Sequence, residues 1–236
     1  MEFESMDLGQ LAMYLNRDSR ELEKLAKRGH LPAQKVAGAW RFARAEINLW
    51  IEAQLPSLSA EQLSDLERGY QTESELPILG RLLGESTIGW PVASKTRASI
   101  LKELVTLAEQ SWQVYDPDAL LQAIRQREEI GSTALDCGIA LPHPRRRMPS
   151  TVLGDSVISL AYVPDGLSFG SPTNTPTDLF FLIACTDQQT HLGALTRLSR
   201  LFLEQGFLSR LRSAETAGDA FRVIEAAEMA ILRGQK

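Results

Sequence analysis

The stretch Thr177–Ala184, TDLFFLIA, constrains the fold more than any other part of the chain. It reads as a β-strand, and from Leu179 through Cys185 it carries no polar residue, so neither of its faces is built to meet water. A strand apolar on both sides needs covering layers on both sides of its sheet. The remaining sequence supplies them. Ile100, Leu101, Leu104, Val105 and Leu107 recur at helical spacing. Asp116 and Pro117 provide an N-cap and a first-turn proline for a helix bearing Leu120, Leu121 and Ile124, which Gly131 stops. Two more helices are expected around 191–203 and 217–232. Val157–Val163 reads as a second strand and Thr87–Val92 as a short extended segment. Strands with covering helices imply an α/β or α+β fold. The same apolar run is far shorter than the roughly 18–20 residues that span a bilayer, so no membrane insertion is expected. The opening MEFESMDLGQ is acidic and lacks an apolar signal region. Cys137 and Cys185 alone make neither a disulfide framework nor a thiolate metal cluster. A soluble, cytoplasmic protein is expected.

Charge divides the chain. Its 236 residues carry a net charge of −5, which argues against bulk electrostatic coating of nucleic acid. Residues 1–50 hold eight basic and seven acidic residues, residues 51–76 one and six, and residues 77–236 sixteen and seventeen. The middle stretch is rich in Ser, Gln and Glu, as linkers are. Within it, Ser59-Ala-Glu-Gln62 forms a helix capping box that Leu63 and Leu66 follow on one face. The expected organisation is a domain over 1–53, an acidic linker over 54–76 and a second domain over 77–236.

In the first domain, Leu8, Leu11, Ala12 and Leu15 mark one helix, closed by Asn16. Asp18 caps a second, with Leu22 and Leu25 inward and Arg20, Lys24, Lys27 and Arg28 outward. Gln34–Phe42 reads as a tight hairpin around Ala37-Gly38, and Ile47, Trp50 and Ile51 give a last helix an inner face. His30, at a helix C-terminus, reads as a cap residue. The segment RGHLPAQKVAGAWRFARAEINLWI resembles the excisionase-type, MerR-like helix-turn-helix module, and the similarity covers about residues 6–52. The resemblance implies a small winged helix-turn-helix domain whose second helix enters the major groove. Arg20, Lys24 and Lys27 then face DNA, with Lys35 and Arg41 on the wing. Glu21 and Glu23 on that helix oppose phosphate binding, and Ala39 replaces a basic residue on the wing. The alternative is a docking module whose Trp40 and Trp50 fill a core.

In the second domain, Cys137-Gly-Ile-Ala-Leu-Pro-His143-Pro places a histidine at a strand exit between two prolines, which hold its backbone extended. A rigid neutral imidazole attacks phosphorus through one ring nitrogen while a hydrogen bond orients the other. By itself this is a weak signal, since a lone histidine near prolines is more often a loop residue. Arg127 lies upstream in REEIGST, and a guanidinium neutralises a transferring phosphoryl group with paired hydrogen bonds. His191 opens a helix, in positive potential beside backbone N–H groups suited to an anion.

The run REEIGSTALDCGIALPH, followed by His191-Leu ahead of a helix, resembles enzyme IIA of the phosphoenolpyruvate-dependent phosphotransferase system, in its mannitol, fructose and nitrogen-regulatory branch. The similarity covers roughly residues 77–232. It implies a mixed β-sheet flanked by helices, no metal or organic cofactor, and a phosphotransferase activity. It also assigns site residues: His143 accepts a phosphoryl group from the histidine-containing phosphocarrier protein, and His191 and Arg127 complete the site. The group passes to a IIB component, or serves regulation of a protein target. The other function consistent with the sequence is a transcriptional regulator with DNA as partner, controlled by phosphorylation. The departures are Pro144 and Arg145-Arg146-Arg147 after the acceptor, either a solvated loop or a basic rim for an acidic partner. The segment Phe169-Gly-Ser-Pro-Thr-Asn-Thr-Pro matches only loosely. No Walker A run, dinucleotide fingerprint or Gly-x-Ser-x-Gly elbow is present, and histidines in separate motifs argue against a structural zinc site.

Overall fold

A computed structural model describes residues 5–70 and 77–234. Residues 71–76 of the expected linker, and the ends of both expected domains, lie outside the described residues.

The N-terminal module runs β1 (Ser5–Met6), α1 (Leu8–Leu15), α2 (Ser19–Lys27), β2 (Gln34–Val36), β3 (Ala39–Ala43) and α3 (Arg44–Gln54). Its ends are set by local chemistry. Asp7 and Gln10 form a capping box on α1, Asn16 closes that helix in the left-handed region, and Asp18 accepts from the Arg20 and Glu21 amides at the start of α2. Ala37 and Gly38 have φ of 51° and 84°, the two positive values that a two-residue type I′ hairpin requires. Leu11, Leu22, Phe42, Ile47 and Ile51 form the core. Trp50 is only half-buried and donates its Nε1–H to the His30 carbonyl at 2.7 Å, so it braces the turn after α2 rather than filling the interior. His30 closes α2 through its backbone, N–H to the Leu25 carbonyl at 3.0 Å.

The stretch expected as a linker is, in its described part, packed structure. A 3₁₀ turn (Leu55–Ser57) leads to α4 (Ala60–Tyr70), and the Ser59–Gln62 capping box is made in both directions. Its polar composition hides a narrow apolar stripe. Leu63 and Leu66 are buried, and so is Glu67, whose carboxylate meets arginines far along the chain.

The second domain contains α5 (Leu79–Leu82), β4 (Ile88–Gly89), α6 (Arg97–Glu109), α7 (Pro117–Ile130), β5 (Ile139–Ala140), β6 (Val157–Leu167), β7 (Thr177–Ala184), α8 (Gln188–Leu203), α9 (Phe207–Arg212) and α10 (Ala217–Arg233). The sheet order is β4-β6-β7-β5, with β4/β6 and β7/β5 parallel and β6/β7 antiparallel. The sheet is therefore mixed. Strand β7 is buried on both sides, as its sequence demands. Phe180, Leu182 and Ala184 pack with α6 and α7 on one face. Leu179, Phe181 and Ile183 join Leu192, Leu195 and Leu198 of α8 and Ile224 of α10 on the other. That second layer continues through Leu63 and Leu66 into the core of the N-terminal module, so one apolar cluster ties the two domains together.

Candidate active site

His143 leaves the sheet just beyond β5. The strand is held by parallel pairing with β7, and the following loop by two backbone bonds: Leu141 N–H to the Thr133 carbonyl at 3.2 Å and Ile183 N–H to the Pro142 carbonyl at 3.0 Å. Gly138 permits the entry into β5. Its φ is 81°, and a Cβ there would sit 2.8 Å from Arg212 Nη2, which itself donates to the Cys137 carbonyl. The His143 ring is buried, with Nδ1 2.7 Å from the Leu141 carbonyl. A carbonyl only accepts, so Nδ1 carries the hydrogen and the lone pair is left on Nε2.

His191 approaches from α8. Asp187 caps that helix, its Oδ1 accepting from the Thr190 amide at 2.8 Å, and fixes where His191 emerges in the first turn. Asp187→Ala is expected to cost about 1 kcal/mol, read from urea denaturation. The His143 and His191 ring centroids are 5.1 Å apart. Arg127 lines the same cleft of about 620 Å³ as His143. Its Nη1, however, donates to the Gly131 carbonyl at 3.0 Å. Of the three residues singled out in sequence, the two imidazoles are adjacent, Arg127 and His143 line one cleft with the guanidinium held to its own helix end, and His191 lines the neighbouring recess instead. Arg145, Arg146 and Arg147 are exposed and edge a recess beside His191.

A fourth side chain, which no sequence motif marks, joins the two histidines. Glu52, on α3 of the N-terminal module, reaches across to both histidines: Oε1 lies 3.1 Å from His191 Nε2 and Oε2 lies 3.3 Å from His143 Nε2. Burial pushes the Glu52 carboxyl upward, but the two facing imidazoles, when protonated, outweigh it through hydrogen bonding and charge and hold the group well below the usual carboxylate range. His143 Nε2 is itself buried without a hydrogen-bond partner, the carboxylate lying at contact distance but off hydrogen-bond geometry. No local pattern marks Glu52, since it sits next to Ile51 on an otherwise ordinary amphipathic helix. The donor atoms of Glu52, His143 and His191 all lie within 4.8 Å of one another, a two-imidazole, one-carboxylate set of the kind zinc accepts. Histidine spacing in the sequence hides this convergence, because its third member lies 91 residues upstream of His143.

The cysteines are free and apart, Cys137 exposed and Cys185 buried. Desolvation pushes the Cys185 thiol up to about 12. At pH 8 its thiolate fraction falls roughly 10³-fold below that of an ordinary thiol. Ellman titration of the native protein is expected to consume Cys137 alone, with Cys185 reacting only after denaturation.

The five basic residues read as DNA contacts are all exposed: Arg20, Lys24 and Lys27 on α2, and Lys35 and Arg41 on the wing. Two are already engaged. Lys27 pairs with Glu23 at 2.8 Å, and Lys35 lies over the Trp40 ring.

A mixed sheet that delivers one histidine beside a second on a covering helix defines a protein of the phosphotransferase-system IIA class, here preceded by a helix-turn-helix. Residues 81–227 match the family described as phosphoenolpyruvate-dependent sugar phosphotransferase system, EIIA 2, and the chain belongs to that family. Residues 5–55 match a helix-turn-helix domain family. The chain is 33% identical over 137 residues to the PTS system fructose-specific EIIABC component of Bacillus subtilis (strain 168), covering 57% of this chain and 21% of that protein's length. It is 25% identical over 143 residues to the nitrogen regulatory protein of Pseudomonas aeruginosa PAO1, covering 60% of this chain and 89% of the relative. Among solved structures, nitrogen regulatory protein IIA-Ntr from Neisseria meningitidis superposes with a TM-score of 0.57 at 21% identity, over 63% of this chain and 99% of that one. IIA mannitol from Escherichia coli gives 0.52 at 19% identity, over 60% and 97%. The second domain is thus an EIIA-type domain related to both sugar-system and regulatory IIA proteins. Among the described residues, no helix is long and apolar enough to cross a membrane.

Proposed function

We propose that the protein is a phosphohistidine carrier. His143 Nε2 takes a phosphoryl group from the histidine-containing phosphocarrier protein, with His191 and Arg127 neutralising charge on the phosphoryl oxygens. The supporting observation is the pairing of a tautomer-fixed imidazole, Nδ1 on the Leu141 carbonyl, with a second imidazole one ring away. In the transfer, the P–N bond of the donor phosphohistidine breaks, its nitrogen keeps the electron pair, and the lone pair of Nε2 forms the new P–N bond. The work left to the protein is positioning and electrostatic stabilisation. No step requires a metal ion. The onward acceptor is a IIB component or a regulatory target. A IIB partner is in keeping with the solved complex of E. coli enzyme IIA mannitol with phosphorylated IIB mannitol, a fold neighbour with a TM-score of 0.53.

The test is incubation with phosphoenolpyruvate, enzyme I and phosphocarrier. The expected product carries one acid-labile, alkali-stable phosphate, mapped to His143 by fragmentation. Label absent from His143 sinks the reading.

A second reading has its own support. The basic face of α2 and the wing is solvent-exposed while α3 of the same module lies against the histidines. Phosphorylation then controls DNA binding by the module. Salt-dependent mobility shifts on random and genomic DNA, with and without phosphorylation, test it. No shift at low salt in either form removes DNA as a partner.

A further inference from the structure

We infer that Glu52 gates the phosphoryl site: its carboxylate occupies the position that a phosphoryl group on His143 Nε2 must take, so docking of the N-terminal module and phosphorylation of His143 exclude each other. The inference rests on the reading of His143 as phosphoryl acceptor.

Three observations carry it. First, the geometry places Glu52 at the reacting nitrogen. Its two oxygens lie 3.3 Å from His143 Nε2 and 3.1 Å from His191 Nε2, and only 11% of its side chain is exposed. Phosphorus bonded to Nε2 would bring three oxygens into the volume the carboxylate fills. Second, the charges have the wrong sign for coexistence. A phosphoryl group brings about 1.5 to 2 negative charges, and like charges in a partly buried cleft repel strongly. Third, Glu52 is not a stray surface residue. It belongs to a module held on the second domain by α4, whose buried Glu67 is bonded by Arg197 and Arg200 of α8, the helix that carries His191. Contact between module and site is therefore built into the docked arrangement.

The device works in both directions. With the module docked, the negative carboxylate covers the nucleophile and excludes an incoming phosphoryl donor, itself anionic at the transferring group. Once the module swings away, Nε2 is free to attack. The dianion it then carries keeps Glu52 out, and α3 is released together with the helix-turn-helix to which it belongs. Charge-driven release of a docked segment is the ordinary way a phosphoryl group produces a large structural effect.

The experiment compares wild type with Glu52→Gln, which keeps size but removes charge, and Glu52→Ala, which removes both. Two phosphoryl sources are used on the full chain: phosphocarrier charged through phosphoenolpyruvate and enzyme I, and potassium phosphoramidate, whose P–N bond breaks with ammonia as leaving group and which needs no protein partner. A docked state that leaves the competent form a few per cent populated predicts initial labelling of His143 faster by about 10-fold or more in Glu52→Gln, and at least as fast in Glu52→Ala. Hydrogen–deuterium exchange of wild type is expected to rise over residues 44–54 on phosphorylation, and to stay unchanged over α6 and α7. Equal phosphoramidate labelling of wild type and both variants overturns the proposal, as does exchange over 44–54 that ignores phosphorylation. A chelator that alone brings wild type to the Glu52→Gln rate makes a bound metal the blocking group, and also overturns it. Labelling of the Glu52 variants by phosphoramidate but of no form by phosphocarrier leaves the gate standing and removes the carrier reading. Failure of both reagents to label His143 in any form removes both.

Discussion

Replacing Arg197 by methionine is expected to destabilise the protein by about 3–5 kcal/mol, the usual cost of removing one member of a buried ion network. Arg197 is fully buried. Its Nε donates to Glu67 and its Nη1 to Glu228 at 2.9 Å, and both carboxylates are also fully buried. Arg200 supplies the second cation through Glu67, so two positive and two negative groups close the cluster. Glu228 does further work, accepting from the Ile78, Leu79 and Gly80 amides at 2.8, 2.9 and 3.0 Å and so completing the start of α5. Methionine fills a similar volume but leaves two dry carboxylates facing one cation. Lysine is not expected to rescue, because a single ammonium cannot reach both carboxylates as the guanidinium fork does. In urea the midpoint falls while the slope stays constant. The control is Arg222→Ala, which removes only the exposed pair with Asp219 and is expected to change stability by less than about 0.5 kcal/mol. A loss below about 1 kcal/mol for Arg197→Met would mean that the cluster contributes little beyond filling space.

The same cluster marks where sequence reading stops. Strands β6 and β7, and the helices around them, were legible because each carries its own pattern: a run apolar on both faces, or apolar residues at helical spacing. The hairpin was legible because Ala37-Gly38 sits between two short alternating strands. Helix α9 was not, being six residues with too few turns to show a period. Arg197 was invisible for a different reason. In LTRLSR an arginine reads as a solvated face, and only partners 130 and 31 residues away make it a core residue. Glu67 likewise read as part of an acidic linker. The candidate site divides in the same way. His143, Arg127 and His191 stand in consecutive motifs and are legible there; the fold sets the two imidazoles side by side and places Arg127 in the cleft that His143 lines. Glu52 has no motif, since its meaning arises only from how α3 lies against α8. Local propensity and periodicity report on a residue's own element. Contacts between elements far apart in the chain leave no such trace.

Loss of the two histidines should separate acceptor from stabiliser. His143→Ala is expected to abolish phosphate incorporation from phosphoenolpyruvate, because no other described imidazole shares its combination of a fixed Nδ1–H and a free Nε2 at the cleft. His191→Ala is expected to keep the acceptor and lower the initial rate by about 10²–10³-fold, the usual loss when one preorganised donor to a developing anion is removed. The difference follows from independent anchoring. The His143 ring is held by Leu141 and by flanking prolines, none of which depends on His191, so the nucleophile stays oriented when the second imidazole is gone. His191 does have another tie, its Nε2 lying 3.1 Å from Glu52 Oε1. Its removal in the otherwise unaltered protein therefore also weakens the module's hold on the cleft, a change that works in the opposite sense on the rate. The measurement is accordingly made in the Glu52→Gln background, where that opposing gain has already been taken up. Initial rates of acid-labile labelling are compared at fixed phosphocarrier concentration, with circular dichroism to verify folding. Full-rate labelling of His191→Ala in that background would remove His191 from the transfer. Label retained in His143→Ala would move the acceptor to another side chain.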